Sequence, residues 1–228
     1  MKVFAISDFH LSTVAPKPMD IFGGAWEGHW EKILANSQKA IGNEDLLLIA
    51  GDISWAMNLT EAQADLSKVA LLPGSKVIIR GNHDYWWSSY AQVVAALPQN
   101  IFALQNNAFK FGSIIVCGSR GWGEKDTPQD KKIYERELIR MRLSLQEGSK
   151  LREQGDKLIA LIHYPPFEDK DQPSPFTQLF AEFEVSAVVY GHLHGLANKV
   201  AAPTCLDGIR YYLTSCDILN NIPIEVIF

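Results

Sequence analysis

Short runs dominated by aliphatic residues, each followed by a polar or glycine residue, recur along the chain. Continuous apolar character over a few residues, without alternation, is typical of strands that are buried on both faces. The sequence therefore predicts buried strands over residues 3–6, 46–50, 77–79, 158–162 and 185–190.

Helical patterns and further strand patterns lie between and after these runs. Apolar residues at helical spacing, with capping residues at the starts, predict helices over residues 26–41, 60–72, 89–97, 127–148 and 174–183. We expect Thr60 and Thr127 to be N-caps, and we expect the fourth helix to end near Gly148. Additional β structure is predicted over residues 100–104, 108–111, 114–117, 209–214 and 222–228, with a hairpin turn at Gly112.

The order of these elements indicates the fold class. Strands are more frequent in the middle and at the end of the chain than in a pure βαβ protein. The pattern therefore favours a mixed α/β (α+β) fold in which helices flank two packed sheets, rather than one doubly wound sheet. The sequence contains no repeat, no low-complexity segment and no linker, so we expect residues 1–228 to form a single domain.

Composition and charge restrict the function classes. The net charge of −5 argues against a general nucleic-acid-binding protein, because such proteins need basic surface. Cys117, Cys205 and Cys216 form no CxxC pair, and their odd number is more typical of a reducing compartment. No apolar stretch approaches the roughly 20 residues of a membrane span, and the apolar run before Asp8 is too short for a signal peptide. We expect a cytoplasmic protein that does not enter a membrane.

Potential ligand side chains follow the five predicted strands at the point where each strand ends. Five of the six histidines take such a position, and only His29 does not. If the strands are neighbours in one sheet, their ends converge on one rim of the domain, where ligands bind in α/β folds. The side chains in question are Asp8 and His10, Asp52, Asn82 and His83, His163, and His192 and His194.

The chemistry of this set predicts two metal ions. Buried carboxylates need a compensating cation, and three carboxylate or amide groups with four imidazoles exceed one tetrahedral site. Mixed oxygen and nitrogen ligands without thiolate favour Mn, Fe or Zn over Ca, and they exclude a structural cysteine zinc site. Mn is our first choice, with Fe and Zn as alternatives. Asp52, in the middle of the set, is the natural bridge between two ions that clamp a phosphoryl group.

The motifs, in order, resemble the calcineurin-like metallophosphoesterase family. Its five blocks correspond to Asp8-x-His10, Gly51-Asp52, Gly81-Asn82-His83-Asp84, His163 and Gly191-His192-x-His194. The resemblance implies a four-layer α/β/β/α sandwich of two β-sheets flanked by helices. It also implies hydrolysis of phosphate esters by in-line attack of a hydroxide that bridges two metal ions.

The same resemblance implies a role for each matching residue. The first ligand group is Asp8, His10, Asp52 and His194, and the second ligand group is Asp52, Asn82, His163 and His192. His83 is then not a ligand; it would stabilise the transition state or protonate the leaving alkoxide, which is typically worth about 10²–10⁴-fold in rate.

One departure from the family pattern bears on the substrate. In the protein phosphatases of the family, an Asp-Arg pair that follows the GD motif supports the catalytic histidine and binds phosphate; here Trp55 and Ala56 take those positions. This weakens a protein-phosphatase assignment and favours small phosphodiesters or nucleotides as substrates. The alternatives are a phosphomonoesterase or protein phosphatase of the same family, and a metal-binding scaffold without turnover.

Several residues near the motifs have two interpretations. Trp55, Trp86, Trp87 and Trp122 form either an aromatic wall for a nucleobase or aryl group, or packing that stiffens the ligand loops; the usual burial of Trp favours packing. Arg80 and Arg120 either contact a phosphate oxygen or pair with an acid. His29 either reaches the cleft or lies at a helix start, and we favour the helix start.

Overall fold

The computed structural model describes residues 1–14, 16–123, 126–168, 172–195 and 203–228. Its strands are β1 (Val3–Ala5), β2 (Leu46–Ile49), β3 (Ser75–Ile78), β4 (Ile101–Ala103), β5 (Ala108–Phe111), β6 (Ile114–Ser119), β7 (Lys157–Ile162), β8 (Ala187–Tyr190), β9 (Thr204–Leu206), β10 (Ile209–Leu213) and β11 (Ile224–Glu225). Its α-helices are α1 (His29–Ala40), α2 (Leu59–Ala70), α3 (Tyr90–Ala96), α4 (Pro128–Leu151) and α5 (Pro175–Glu182).

The strands form two mixed sheets. The first sheet has the order β11-β1-β2-β3-β4, in which β1 to β4 are parallel and β11 is antiparallel to β1. The second has the order β5-β6-β7-β8-β10-β9, with parallel pairing from β6 to β10 and an antiparallel strand at each edge. The hairpin predicted at Gly112 is β5–β6, while β9 was not predicted.

The core consists of three layers. Successive residues of a strand point to opposite faces of the sheet and therefore belong to different layers. Phe4 and Leu47 point to one side of the first sheet, where they pack beneath α1, α2 and α3. Ala5 and Leu48 point to the other side and pack against the second sheet, with Ile159 among their neighbours. Helices α4 and α5 cover the outer face of the second sheet. Two sheets flanked by helices on both sides confirm the predicted α/β/β/α sandwich.

Two predictions about helix ends are wrong. The N-cap of α2 is Asn58, whose side-chain oxygen accepts a hydrogen bond from the Glu61 amide at 3.0 Å. Thr60 lies inside the first turn, because the helix starts two residues earlier than an N-cap at Thr60 implies. Helix α4 passes through Gly148 and ends at Leu151, since this glycine is required for packing rather than for termination.

Gly148 allows α4 to approach the second sheet closely. A Cβ atom at this position would lie 2.2 Å from the Cys117 Sγ atom and 3.0 Å from the Leu158 Cδ1 atom. Alanine favours a helix over glycine by about 1 kcal/mol. Here the steric conflict with fully buried neighbours exceeds that gain.

We therefore expect Gly148→Ala to lower the free energy of unfolding by about 1–3 kcal/mol, the usual cost of overpacking a core. Denaturant unfolding measures the difference. The neighbouring exposed variant Ser149→Ala is the control, and its stability should stay within about 0.5 kcal/mol of wild type. Equal or greater stability of Gly148→Ala would contradict the packing argument.

Candidate active site

The carboxyl ends of five parallel strands, from both sheets, meet at one edge of the sandwich. Strands β1, β2 and β3 belong to the first sheet and β7 and β8 to the second, so the strand ends converge from two packed sheets rather than within a single sheet. The amides of Asp8 and His10 donate to the carbonyls of Gly51 and Asp52, at 3.1 and 3.0 Å, which aligns the first two loops. The His192 amide donates to Asp8 Oδ1 at 3.0 Å and links the sheets.

The backbone at this edge is held in an unfavourable conformation. Asp8, His10, Asp52 and His192 have φ angles of 61°, 46°, 50° and 73°. This left-handed region costs a non-glycine residue roughly 1–2 kcal/mol. Such strain persists only where the surrounding structure imposes it, and it is concentrated at functional sites.

Two glycines of the motifs lie so close to carboxylates that no side chain fits at their positions. A Cβ atom at Gly81 would lie 2.1 Å from Asp52 Oδ1, and one at Gly191 would lie 2.3 Å from Asp8 Oδ2. No side chain fits at either position without displacing a predicted ligand. The glycines therefore bring neighbouring loops against the two acids.

The first ligand group is assembled around two imidazoles. The Nε2 atoms of His10 and His194 lie 3.2 Å apart. Asp8 Oδ1 is 3.6 Å from His194 Nε2, and Asp52 Oδ2 is 3.6 Å from His10 Nε2. Ligands of one tetrahedral ion with metal–nitrogen bonds of about 2.0–2.1 Å are about 3.3 Å apart, so these separations suit one cation.

The second ligand group also approaches the Asp52 carboxylate. Asn82 Oδ1 is 2.6 Å from His163 Nε2 and 3.0 Å from His192 Nδ1. Asp52 Oδ2 is 3.5 Å from His163 Nε2. The same carboxylate oxygen therefore faces an imidazole of each group. Asp8 also approaches the second group, with Oδ1 4.0 Å from His163 Nδ1.

Burial makes the charged forms of the two acids unfavourable. Burial raises the pKa of Asp8 to about 7. Burial, and then the charges of Asp84 and Asp8, raises the pKa of Asp52 to about 9. A bound cation removes this penalty, because it supplies the opposite charge that the acids lack.

Burial has the opposite effect on the imidazoles. It lowers the pKa of His10 and His163 well below the usual value, with neighbouring histidines adding to the shift. It lowers the pKa of His192 to about 4, with further contributions from His194 and His83. These rings are therefore neutral near pH 7, and a neutral imidazole offers the lone pair that a metal ion binds.

Two histidines are oriented by oxygen atoms behind them. His163 Nδ1 donates to the Ala50 carbonyl at 2.8 Å, and His194 Nδ1 donates to Asp217 Oδ1 at 2.9 Å. With Nδ1 protonated in each neutral ring, Nε2 directs its lone pair into the site. Burial opposes protonation of His194, but Asp217 and Asp8 raise its pKa overall. The donor set fits two divalent ions.

Asp217 was missed in the sequence analysis, although the signal for it is present. It follows β10 by four residues, and β10 is parallel to β8. Its second carboxylate oxygen accepts from the Gly195 amide at 2.9 Å. Asp217 thus also follows a parallel strand, but four residues separate it from the end of that strand.

His83 lies beside the two ligand groups. Its amide donates to Asp52 Oδ1 at 2.8 Å, and its Nδ1 atom is 3.4 Å from the Tyr85 hydroxyl. Asp84 does not contact the His83 ring in any described interaction. Its buried carboxylate accepts from Trp86 Nε1 and from three backbone amides, those of Gly81, Ile53 and Ser54. Asp84 therefore stabilises the two loops.

The tryptophans divide between the two interpretations. Trp86 and Trp87 are buried, with 1% and 6% of their surface exposed, so packing is confirmed for both. Trp55 is partly exposed; its ring stacks on His10 at 4.8 Å and lies 4.3 Å from the His83 ring. Trp122 packs on Tyr164 at 5.1 Å.

His29 is the first residue of α1, as we favoured. Its ring nitrogens contact the carbonyls of Phe9 and Trp26, at 2.8 and 3.0 Å, and belong to neither ligand group. Helix α1 is thereby attached to the loop that carries His10.

Comparison with known proteins identifies the family. The profile of the calcineurin-like phosphoesterases matches residues 1–196, which include both ligand groups and His83. The chain belongs to this family. It is a metal-dependent phosphoesterase, and the metal-ligand groups support a binuclear centre of divalent ions.

Solved structures share the fold at low sequence identity. A protein of unknown function, AQ665 from Aquifex aeolicus, is 17% identical with a TM-score of 0.52; the match covers 98% of this chain and 95% of that one. TT1561 of Thermus thermophilus is 12% identical with a TM-score of 0.64, covering 98% and 97%. No curated protein matches the sequence.

Within the described parts of the phosphoesterase, no helix has both the length and the apolar character that crossing a bilayer requires.

Replacing Asp217 by alanine removes the acceptor that orients His194. Loss of such a partner typically weakens metal binding by about 10–100-fold, and we expect a change of this size for one of the two ions, measured by manganese titration. Glu182→Ala, which removes an exposed carboxylate paired with Arg142, is the control. Unchanged affinity in Asp217→Ala would show that Asp217 does not support the metal site.

Proposed function

We propose that the two ligand groups each hold one divalent ion and share Asp52. The observation that carries this proposal is the position of Asp52 Oδ2, 3.6 Å from His10 Nε2 and 3.5 Å from His163 Nε2. Manganese remains the preferred metal, with iron and zinc as alternatives, because oxygen and imidazole ligands suit all three. The proposed ligands are Asp8, His10, Asp52, Asn82, His163, His192 and His194.

The proposed reaction is hydrolysis of a phosphate ester by in-line displacement. Two bound divalent ions would lower the pKa of a water molecule and would place positive charge beside the phosphoryl oxygens. His83 is the proposed catalytic residue. Its ring would donate a hydrogen bond to a phosphoryl oxygen or a proton to the leaving oxygen. The amide bond to Asp52 fixes the backbone of His83 beside the bridge.

The proposed substrates are small phosphodiesters or nucleotides. Ala56 offers no charge where protein phosphatases of the family have a phosphate-binding arginine, and a phosphodiester carries less negative charge than a monoester dianion. Trp55 supplies a partly exposed indole ring beside His83, with the Lys17 ammonium group 3.5 Å above it. An aromatic leaving group or a nucleobase can stack on this ring in place of the exposed Lys17 side chain.

We also infer that the protein functions in the cytoplasm. Its cysteines are free thiols, and Cys117 and Cys216 are buried. Burial raises the pKa of both thiols, so they stay protonated and unreactive. Free thiols in this number suit a reducing compartment.

Paired rates test the substrate class. For the manganese-loaded protein, we expect bis-p-nitrophenyl phosphate to be cleaved faster than p-nitrophenyl phosphate, with both activities lost in Asp52→Asn. A clear preference for the monoester would overturn the substrate proposal and favour a phosphomonoesterase. No turnover of either ester, with two ions bound, would favour the non-catalytic scaffold.

A His83→Ala variant tests the catalytic assignment. We expect kcat to fall by about 10²–10⁴-fold, the usual contribution of a general acid or base, while metal content stays at the wild-type value. Steady-state kinetics and elemental analysis on the same samples separate the two effects. Unchanged kcat at full metal content would remove His83 from the mechanism.

A further inference from the structure

A cavity of about 290 Å³ is lined by nine residues, and four of these are arginines. Four of the chain's seven arginines contribute to it. We call this cavity the arginine pocket; its arginines are Arg80, Arg120, Arg136 and Arg140. Its volume is near the lower limit of roughly 300–1,000 Å³ for small-molecule sites. The pocket therefore suits a small group rather than a large ligand.

The pocket carries an excess of positive charge. Glu137 is the acid that lines it among the described residues, so the described lining has a formal charge of about +3. The Glu137 carboxylate is buried and accepts a hydrogen bond from Arg140 at 2.8 Å. Its distances to Arg120 and Arg136, 3.8 and 3.7 Å, exceed those of hydrogen bonds.

The guanidinium groups retain donors for a ligand. Each guanidinium has five N–H groups. The Arg80 Nε atom is buried without a hydrogen-bond partner in the described part of the chain. An anion in the pocket offsets the excess positive charge of the four arginines and accepts hydrogen bonds from their free N–H groups.

A purely structural role does not explain the arrangement. One carboxylate satisfies one arginine well, and an ion-pair network would need further acids. Elsewhere on the same helix, Arg142 shows what such pairing looks like: it donates two hydrogen bonds to Glu182, at 2.6 and 2.9 Å. The arginines of the pocket lack a matched acid of this kind among the described residues.

Two arginines of the pocket are linked through the backbone to proposed metal ligands. Arg80 precedes Asn82 by two residues at the end of β3. The carbonyl of Arg120 accepts a hydrogen bond from the His163 amide at 3.0 Å. Arg80 therefore lies in the segment that carries one proposed ligand of the second group, and Arg120 is hydrogen-bonded through its backbone to another.

We propose that the arginine pocket binds a phosphate group distinct from the one that is hydrolysed. Guanidinium groups match phosphate oxygens in charge and geometry, and bidentate contacts select phosphate over halide ions. The phosphate is either the distal phosphate of a nucleotide-type substrate, which rests on the proposed function, or free inorganic phosphate. Glu137 is a positioning residue that holds Arg140 towards the cavity.

Calorimetry with inorganic phosphate tests the site independently of turnover. We expect the manganese-loaded wild-type protein to bind two phosphates per chain, one at the metal centre and one in the pocket. Arg80→Gln with Arg136→Gln should abolish the second binding event. Arg136→Gln alone, at a half-exposed position on α4, should weaken binding of the second phosphate by about tenfold. This single variant replaces the double variant in the test if the double variant does not fold.

The matched control is Arg142→Gln, which removes an arginine of the same helix outside the pocket. It should bind two phosphates as the wild type does. A single phosphate in the wild type, or a second phosphate bound equally tightly by the folded pocket variants, would overturn the proposal.

Kinetics separate the two sources of the phosphate. Thymidine 5′-(p-nitrophenyl phosphate) is compared with the same diester that carries a 3′-phosphate. A KM about tenfold lower for the 3′-phosphorylated ester in wild type and Arg142→Gln, but not in the pocket variants, assigns the pocket to the substrate. Equal KM values, with two phosphates in calorimetry, assign it to free phosphate. Binding of the second phosphate without turnover of either ester would refute the proposed function and leave the pocket standing.

Discussion

The rest of the structure depends on the burial of the Asp52 carboxylate between two sets of imidazoles. One oxygen of this carboxylate accepts a hydrogen bond from the His83 amide, and the other lies 3.6 Å from His10 Nε2 and 3.5 Å from His163 Nε2. An acid in such surroundings is unfavourable without a cation, and burial raises its pKa accordingly. Folding therefore places an uncompensated acid where the two ligand groups meet, and metal binding compensates it.

The sandwich provides this arrangement because parallel strands present their carboxyl ends together. Residues that follow three strands of one sheet and two of the other are the proposed ligands, and the two sheets pack against each other beneath them. The loops then adopt conformations that few residues tolerate, such as the positive φ angles of Asp8 and Asp52. Gly81 and Gly191 leave the space that those carboxylates occupy. The strained backbone, the space left at the two glycines and the buried charge thus all follow from bringing the strand-end loops together around Asp8 and Asp52.

Much of this site is predictable from sequence because it is encoded locally. An apolar run followed at once by Asp52 or His163 marks a strand end, and the order of the runs indicates the sandwich. Contacts between distant segments are not encoded in that way. Asp217 follows its strand by four residues and meets His194 only in the folded protein. Likewise, the convergence of Arg80 from β3 with Arg136 from α4 depends on how the helix packs on the sheet.

Manganese titration followed by electron paramagnetic resonance tests the central claim most directly. The account predicts that the wild-type chain binds two manganese ions with the spectrum of an exchange-coupled pair, because one carboxylate lies between them. Asp52→Asn should lose that coupling. One ion per chain, or two ions with the spectrum of isolated manganese in the wild type, would contradict a shared binuclear centre.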